Sequence, residues 1–178
     1  MKRMISLMLA CVFMFAMVAT AQATPFYLEA AGVSIEVPEG MTAQDMSTEA
    51  SFLLGITVDA DPSLKFAYAL SYVEEFEDKY IEDLTEDEGN MLMQSIAASI
   101  EDPQFGATEI DEYKLLLVAS GDGSQLHFIS LLGGWLCDVA VGRSDSSLTD
   151  DDIQAAADLL LSIQFEEDDA SADYEEAE

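Results

Sequence analysis

The sequence predicts an α+β domain in which an antiparallel, twisted β-sheet is flanked by helices. Three observations carry this. Short stretches of period-two alternation recur with turn residues between them, the mark of half-buried strands. Two amphipathic segments each open on a capping residue, Thr85 and Thr149. Two adjacent glycines, Gly133-Gly134, separate a pair of strand-like runs and suit a two-residue hairpin turn, which needs positive φ.

The elements follow in order. Tyr27-Leu28-Glu29 and Val33–Val37 read as a hairpin turning near Ala31-Gly32. Val33, Ile35 and Val37 share one face, with Ser34 and Glu36 on the other, until Pro38-Glu39-Gly40 ends the run. Phe52–Val58 is a third strand, closed by Asp59-Ala60-Asp61-Pro62-Ser63, which has turn chemistry. Phe66–Val73 is a fourth, with Phe66, Tyr68, Leu70 and Tyr72 opposite Ala67, Ala69 and Ser71. Glu74–Asp83 is an acidic segment expected to form a short helix. Thr85 and Glu88 make a capping box for a helix with an apolar stripe of Leu92, Met93, Ile96 and Ile100, stopped by Asp102-Pro103 because the residue before proline resists helical φ and ψ. Lys114–Ser120 is apolar on both faces and belongs inside the sheet, covered on both sides. Gln125–Leu132 and Trp135–Val141 form the Gly-Gly hairpin. Thr149 then caps a last helix, whose first turn holds Asp150, Asp151 and Asp152 at the positive end of the dipole. Its inward face is Ile153, Ala156, Ala157, Leu160 and Leu161.

The ends of the chain have a different character. Lys2 and Arg3 precede an apolar run, Met4–Val18, and Ala21-Gln22-Ala23 presents small residues at a cleavage site, so residues 1–23 read as a secretory signal peptide. Cys11 lies within the apolar run rather than at its end, which argues against a lipid anchor. Cleavage before Thr24 leaves no segment of membrane-spanning length and places the protein in the periplasm, the cell envelope or outside the cell. Residues 24–165 have the length of one domain. Residues 166–178 carry eight acids and little to bury, the composition of a disordered tail.

Charge is the dominant compositional fact. The chain has 36 Asp and Glu against 6 Lys and Arg, a formal net charge of −30, and losing Lys2 and Arg3 makes it more negative still. Such a surface repels nucleic acid and anionic membranes and favours basic partners or cations. It also keeps the domain a soluble monomer. Only Cys137 remains after cleavage, so no disulfide forms within one chain.

The run Gly32-Val33-Ser34-Ile35-Glu36-Val37-Pro38-Glu39-Gly40, with the closing Leu160-Leu161-Ser162-Ile163, resembles the opening and ending of PsbP-like and DcrB-like exported proteins. The resemblance covers most of Tyr27–Phe165. It implies an antiparallel sheet flanked by helices, in a group whose exported members mostly bind or scaffold. No binding residue of that group carries over.

No motif points to catalysis. His127 and Cys137 are the only imidazole and the only remaining thiol, so a thiol nucleophile with an imidazole base must use this pair. In the Gly-Gly hairpin Ser130 faces Cys137, and alternation then puts Cys137 and His127 on opposite faces of the sheet. His127 shares its face with Asp138, but the two are offset across the strands and no nucleophile accompanies them. The sequence is read as non-enzymatic and without an organic cofactor. Two binding expectations remain. Asp59 and Asp61, and Asp145 with Asp150, Asp151 and Asp152, are candidate calcium ligands, since that ion takes carboxylate oxygens. Zinc lacks its ligands. Nine of the fifteen residues in Glu74–Glu88 are acidic. Glu74, Glu75, Asp78, Glu82 and Glu86 within it are candidates for docking a basic protein, because like charges at i,i+4 cost stability that such a partner would relieve. The function expected is therefore a non-catalytic module binding a protein or a small ligand, or alternatively a low-affinity calcium binder.

Overall fold

The computed structural model describes residues 24–28, 32–48, 52–110 and 113–165. Residues 1–23, read above as a signal peptide, and residues 166–178, read as a tail, lie outside the described residues. Ten strands and two helices occur among them: β1 (Thr24–Leu28), β2 (Val33–Val37), β3 (Met41–Asp45), β4 (Phe52–Val58), β5 (Asp61–Tyr72), α1 (Glu86–Ala97), β6 (Gln104–Ile110), β7 (Tyr113–Ala119), β8 (Gln125–Leu132), β9 (Trp135–Arg143), α2 (Asp150–Leu161) and β10 (Gln164–Phe165).

Seven strands make one sheet in the order β3-β4-β5-β9-β8-β7-β6, and β1-β2-β10 make a second. All pairings are antiparallel, so the α+β expectation holds. The helices cover the large sheet unequally. On one face, Val33, Ile35 and Val37 of β2 and Ala156, Ala157, Leu159 and Leu160 of α2 close over Leu54, Ile56, Phe66, Tyr68, Leu70, Cys137 and Val139. This is the main core. On the opposite face α1 reaches only the β7–β8 end, where Ala97 and the following Ile100 meet Val118 and Ile129, and Leu92 meets Leu131 and Phe76. Among the described residues strands β3, β4 and β5 have no helix on that side, and this asymmetry leaves open the surface described below.

Local chemistry explains the elements that were legible. Both capping boxes form: Thr85 Oγ1 accepts from the Glu88 amide at 3.3 Å and Thr149 Oγ1 from that of Asp152 at 3.3 Å, with each acid reaching back to the cap amide. Gly133 and Gly134 take φ of 58° and 93°, and the hairpin register pairs Leu132 with Trp135 and Ser130 with Cys137, as alternation requires. Strand β7 buries Leu115 in the main core and Val118 under α1, so both its faces are covered.

Several expectations are corrected. Three strands escape sequence patterning. β3 and β6 are edge strands, mostly exposed, and an edge strand needs little apolar alternation. β10 is two residues, placed only by its pairing with β2. Asp61-Pro62-Ser63 is not a turn but the start of β5, and the turn contracts to Asp59-Ala60 beside a register shift at Thr57/Val58. Proline is tolerated because it lies in the irregular start of that strand, where Pro62 has no ladder partner on β4 or β9. Glu74–Asp83 is not one helix. Two 3-10 turns, Glu74–Phe76 and Ile81–Asp83, flank a segment in which Asp78 is left-handed (φ 61°) and Tyr80 bridges to Leu132 of β8. Phe76 and Ile81 pack under α1, and tertiary burial overrides a helix that its like charges would in any case weaken. Helix α1 ends at Ala97, before the proline, so Ile100 packs from the following turn.

Candidate functional site

The side chains that β3, β4, β5, β9 and β8 turn away from the main core follow from the register. One rung across the sheet reads Thr42, Thr57, Lys65, Gly142, Gln125. The next reads Gln44, Gly55, Ala67, Ala140, His127. A third continues with Leu53, Ala69, Asp138 and Ile129, where α1 begins to cover the sheet. The centre of this surface is glycine and alanine, while its rim is threonine, glutamine, lysine and histidine. The result is a groove of about 600 Å³, within the 300–1,000 Å³ span of small-molecule sites.

The small residues are not demanded by packing. Gly55 and Gly142 sit in strand interiors with ordinary φ, and a Cβ on Gly142 would meet Gln125 Cγ at 3.6 Å and the Ser124 carbonyl oxygen at 3.7 Å, both ordinary contacts. Over Gly55 lies the flexible end of Met46, whose Cε would be 2.7 Å from such a Cβ. Glycine within a strand costs stability and commonly marks close approach by a ligand or another backbone.

His127 and Asp138 close one end of the groove. The offset noted in the sequence does not separate them: His127 pairs with Ala140 and Asp138 with Ile129, and as diagonal neighbours they meet, Nδ1 to Oδ1 at 2.9 Å and to Oδ2 at 3.1 Å. An ionised carboxylate only accepts, so Nδ1 carries the proton and Nε2 is left as an acceptor in the neutral ring or a second donor in the cation. Among the described residues no Ser, Thr or Cys side chain is hydrogen-bonded to the pair. Cys137 lies on the other face with no solvent exposure. Burial pushes its thiol up to about 12, with the nearby Asp138 adding to the rise against the Tyr68 hydroxyl. The thiol is inert. Lys65 is exposed beside the glycine and alanine floor, and among the described residues no carboxylate lies within ion-pair distance of it.

The candidate calcium ligands resolve into a different arrangement. Arg143 Nε and Nη2 bind both oxygens of Asp152 at 2.7 and 2.9 Å, Nη1 binds Asp61 at 2.8 Å and Ser63 Oγ at 3.2 Å, and Asp145 stands 3.9 Å away. Three of the candidate acids thus surround a cation the chain itself supplies. Burial raises the Asp152 carboxyl, but hydrogen bonds from Arg143 and the Thr149 cap more than offset it and the group titrates below the ordinary range. Asp61 is lowered too, first by Ser63 and then by Arg143. Asp59 accepts from Thr42 Oγ1 at 2.8 Å, while Asp150 and Asp151 are exposed in the first turn of α2. Among the described residues no three His, Cys, Asp or Glu form a metal-holding group. A calcium ion at this corner would compete with the Arg143 guanidinium.

Glu74, Glu75, Asp78, Glu82 and Glu86 are all exposed along the two 3-10 turns and the start of α1. Lys79 is withdrawn from this run: its ammonium pairs with Glu88 at 2.8 Å and lies 5.5 Å from the centre of the Phe76 ring. Sequence reasoning identified the acids but missed the groove. Its trace was the small residues at alternate positions of β4, β5 and β9, with Lys65 among them.

No family model and no curated protein matches this chain. Among solved structures, it resembles the solution structure of cyanobacterial PsbP (CyanoP) from Synechocystis sp. PCC 6803, with a TM-score of 0.57 and 13% identity over 85% of this chain and 96% of that one. The PsbP-like fold expected from the Gly32–Gly40 run is therefore present. At this identity the likeness is one of fold, and function is argued from the site.

Proposed function

We propose that this chain is an exported, non-catalytic binding domain whose ligand lies in the open groove of the large sheet. The observation that carries this is the half-buried glycine and alanine floor, Gly55, Ala67, Ala140 and Gly142, overlain at Gly55 by the flexible end of Met46, where an antiparallel sheet otherwise presents longer polar or β-branched side chains to water. A flat floor of this kind suits a planar ligand. Lys65 and the Nε2 atom of His127 face it from one side, Thr42, Thr57, Gln44 and Gln125 from the rim. These groups select a small planar molecule bearing one carboxylate or comparable anion with hydrogen-bonding edges. The His127–Asp138 pair orients the imidazole for binding and has no nucleophile to activate. The signal-like first 23 residues and the PsbP-like fold support export and binding.

The test uses 2-naphthoate as a probe, followed by amide NMR shifts of the purified protein. Saturable shifts centred on Gly55, Ala67, Ala140 and Gly142 are expected, weakened at least fivefold by Lys65→Gln and by His127→Gln. Lys114→Gln, which removes the same charge from β7, should leave the affinity unchanged. Shifts that map elsewhere, or equal effects of Lys65→Gln and Lys114→Gln, would refute the reading.

A further inference from the structure

A second, smaller depression lies on the core side of the large sheet, at the end remote from Arg143. Its volume is about 300 Å³, and Tyr80, Tyr113, Leu132, Leu160, Leu161 and Ile163 line it. Two of these are large aromatic side chains left in water: Tyr80 is 48% and Tyr113 53% exposed. Tyr80 is held by its backbone bridge to Leu132 and by its amide bond to Asp83 at 3.0 Å. The backbone that carries the ring is therefore held at a fixed place on the rim.

Acidic side chains predominate around Tyr80, with Lys114 the exposed cation next to Tyr113. Exposed Glu77, Asp78 and Glu82 lie within three residues of Tyr80 along the chain, and Lys79 is already paired with Glu88. The far wall is the C-terminal end of α2, whose last turn contains no basic residue, so the negative end of its dipole is uncompensated. Charge complementarity favours a basic occupant over a second copy of a chain of net charge −30 or a segment with the eight acids of 166–178.

We infer that this cleft, with the acidic turns beside it, is a docking site for a protein segment that presents an apolar anchor flanked by lysine or arginine. The apolar side chain fills the depression between the two tyrosines. The flanking cations meet Asp78, Glu82 and the carbonyl end of α2. The acidic run alone has the chemistry of a solvated surface, and it is the adjoining tyrosine-walled cleft that gives a partner a place to anchor. Tyrosine at such a rim offers large rigid contact area at small entropy cost, and the surrounding carboxylates speed encounter with a basic partner.

The experiment uses a fluorescein-labelled hexapeptide with a Leu-Phe centre and two lysines on each side, and the same peptide with glutamates, in anisotropy titrations of the purified protein at low and high salt. The lysine peptide should bind with an affinity that falls with salt, and the glutamate peptide should not bind. Tyr113→Ala should weaken binding at least fivefold. Glu82→Lys should weaken it and flatten the salt dependence, while Glu39→Lys, the same charge change in the turn between β2 and β3, should do neither. Amide shifts on adding peptide should centre on Tyr80, Tyr113, Leu161 and Ile163. The inference is overturned if Tyr113→Ala has no effect, or if Glu39→Lys matches Glu82→Lys, which is diffuse attraction. It is equally overturned if the protein alone self-associates through Tyr113, or if Tyr113 shows NOEs to residues 166–178, since either would supply another occupant.

Discussion

Replacing Gly133 and Gly134 one at a time by alanine separates backbone strain from steric contact in the β8–β9 hairpin. Both residues have positive φ, 58° and 93°. An L-residue in this region pays about 1–2 kcal/mol, partly returned by about 0.4–1 kcal/mol because the unfolded chain loses freedom when glycine becomes alanine. At Gly133 a new Cβ meets nothing within 4 Å, so the strain is the whole effect and the loss should be about 0.5–1.5 kcal/mol. At Gly134 the Cβ would lie 2.9 Å from Tyr72 Cε2 and 3.2 Å from the Cα of Glu77. The first contact is with a ring packed edge-on against Trp135, centroids 5.5 Å apart. The second is backbone and yields less. Overpacking of this kind adds about 1–3 kcal/mol, giving a total of about 2–4 kcal/mol. The assay is equilibrium urea denaturation of the two variants and of Gly134→Ala with Tyr72→Ala. The double variant should recover only the ring's share, because the Glu77 contact and the strain persist. Equal losses at Gly133 and Gly134 would refute the reasoning, since they would mean that the segment after β5 does not press on this turn.

Four further outcomes follow. Glu88, Asp122 and Asp152 all titrate below the ordinary carboxyl range in the folded chain. Glu88 is lowered to about 2, first by Lys79 and then by Thr85, and Asp122 to about 2, first by Ser120 and then by Ser124, while Arg143 and the Thr149 cap hold Asp152 down against burial. Their contribution is therefore full above the unfolded carboxyl pKa and lost as pH falls through the folded values. Urea midpoints should drop between pH 5 and pH 2, and Glu88→Gln should flatten that drop. Thr85→Ala removes a cap from α1 and should cost about 1 kcal/mol, read by the same denaturation. Leu159→Ala opens a void in the main core, where Leu159 is 1% exposed, and should cost about 2–5 kcal/mol. Cys137 should resist an aromatic disulfide reagent in the native protein and react at once in 6 M guanidinium chloride. Rapid labelling of the native state would contradict its burial.

The sequence by itself determined the local elements. Capping boxes, the Gly-Gly turn and the alternation in β2, β5, β8 and β9 each act over a few residues, and each formed where the chemistry put it. From alternation alone it also placed Cys137 and His127 on opposite faces, which removes the thiol dyad. Tertiary structure decided what depends on neighbours far along the chain. Edge strands β3 and β6 exist because β4 and β7 offer them a ladder, and the Glu74–Asp83 segment breaks into two turns because Phe76 and Ile81 are claimed by the core beneath α1. Arg143 gathers Asp61 and Asp152 from positions 82 and 9 residues away, which spacing along the chain does not reveal. The groove is of the same kind. Each of its small residues is unremarked in its own strand, and only the sheet register, with α1 covering the other end, brings them into one open floor.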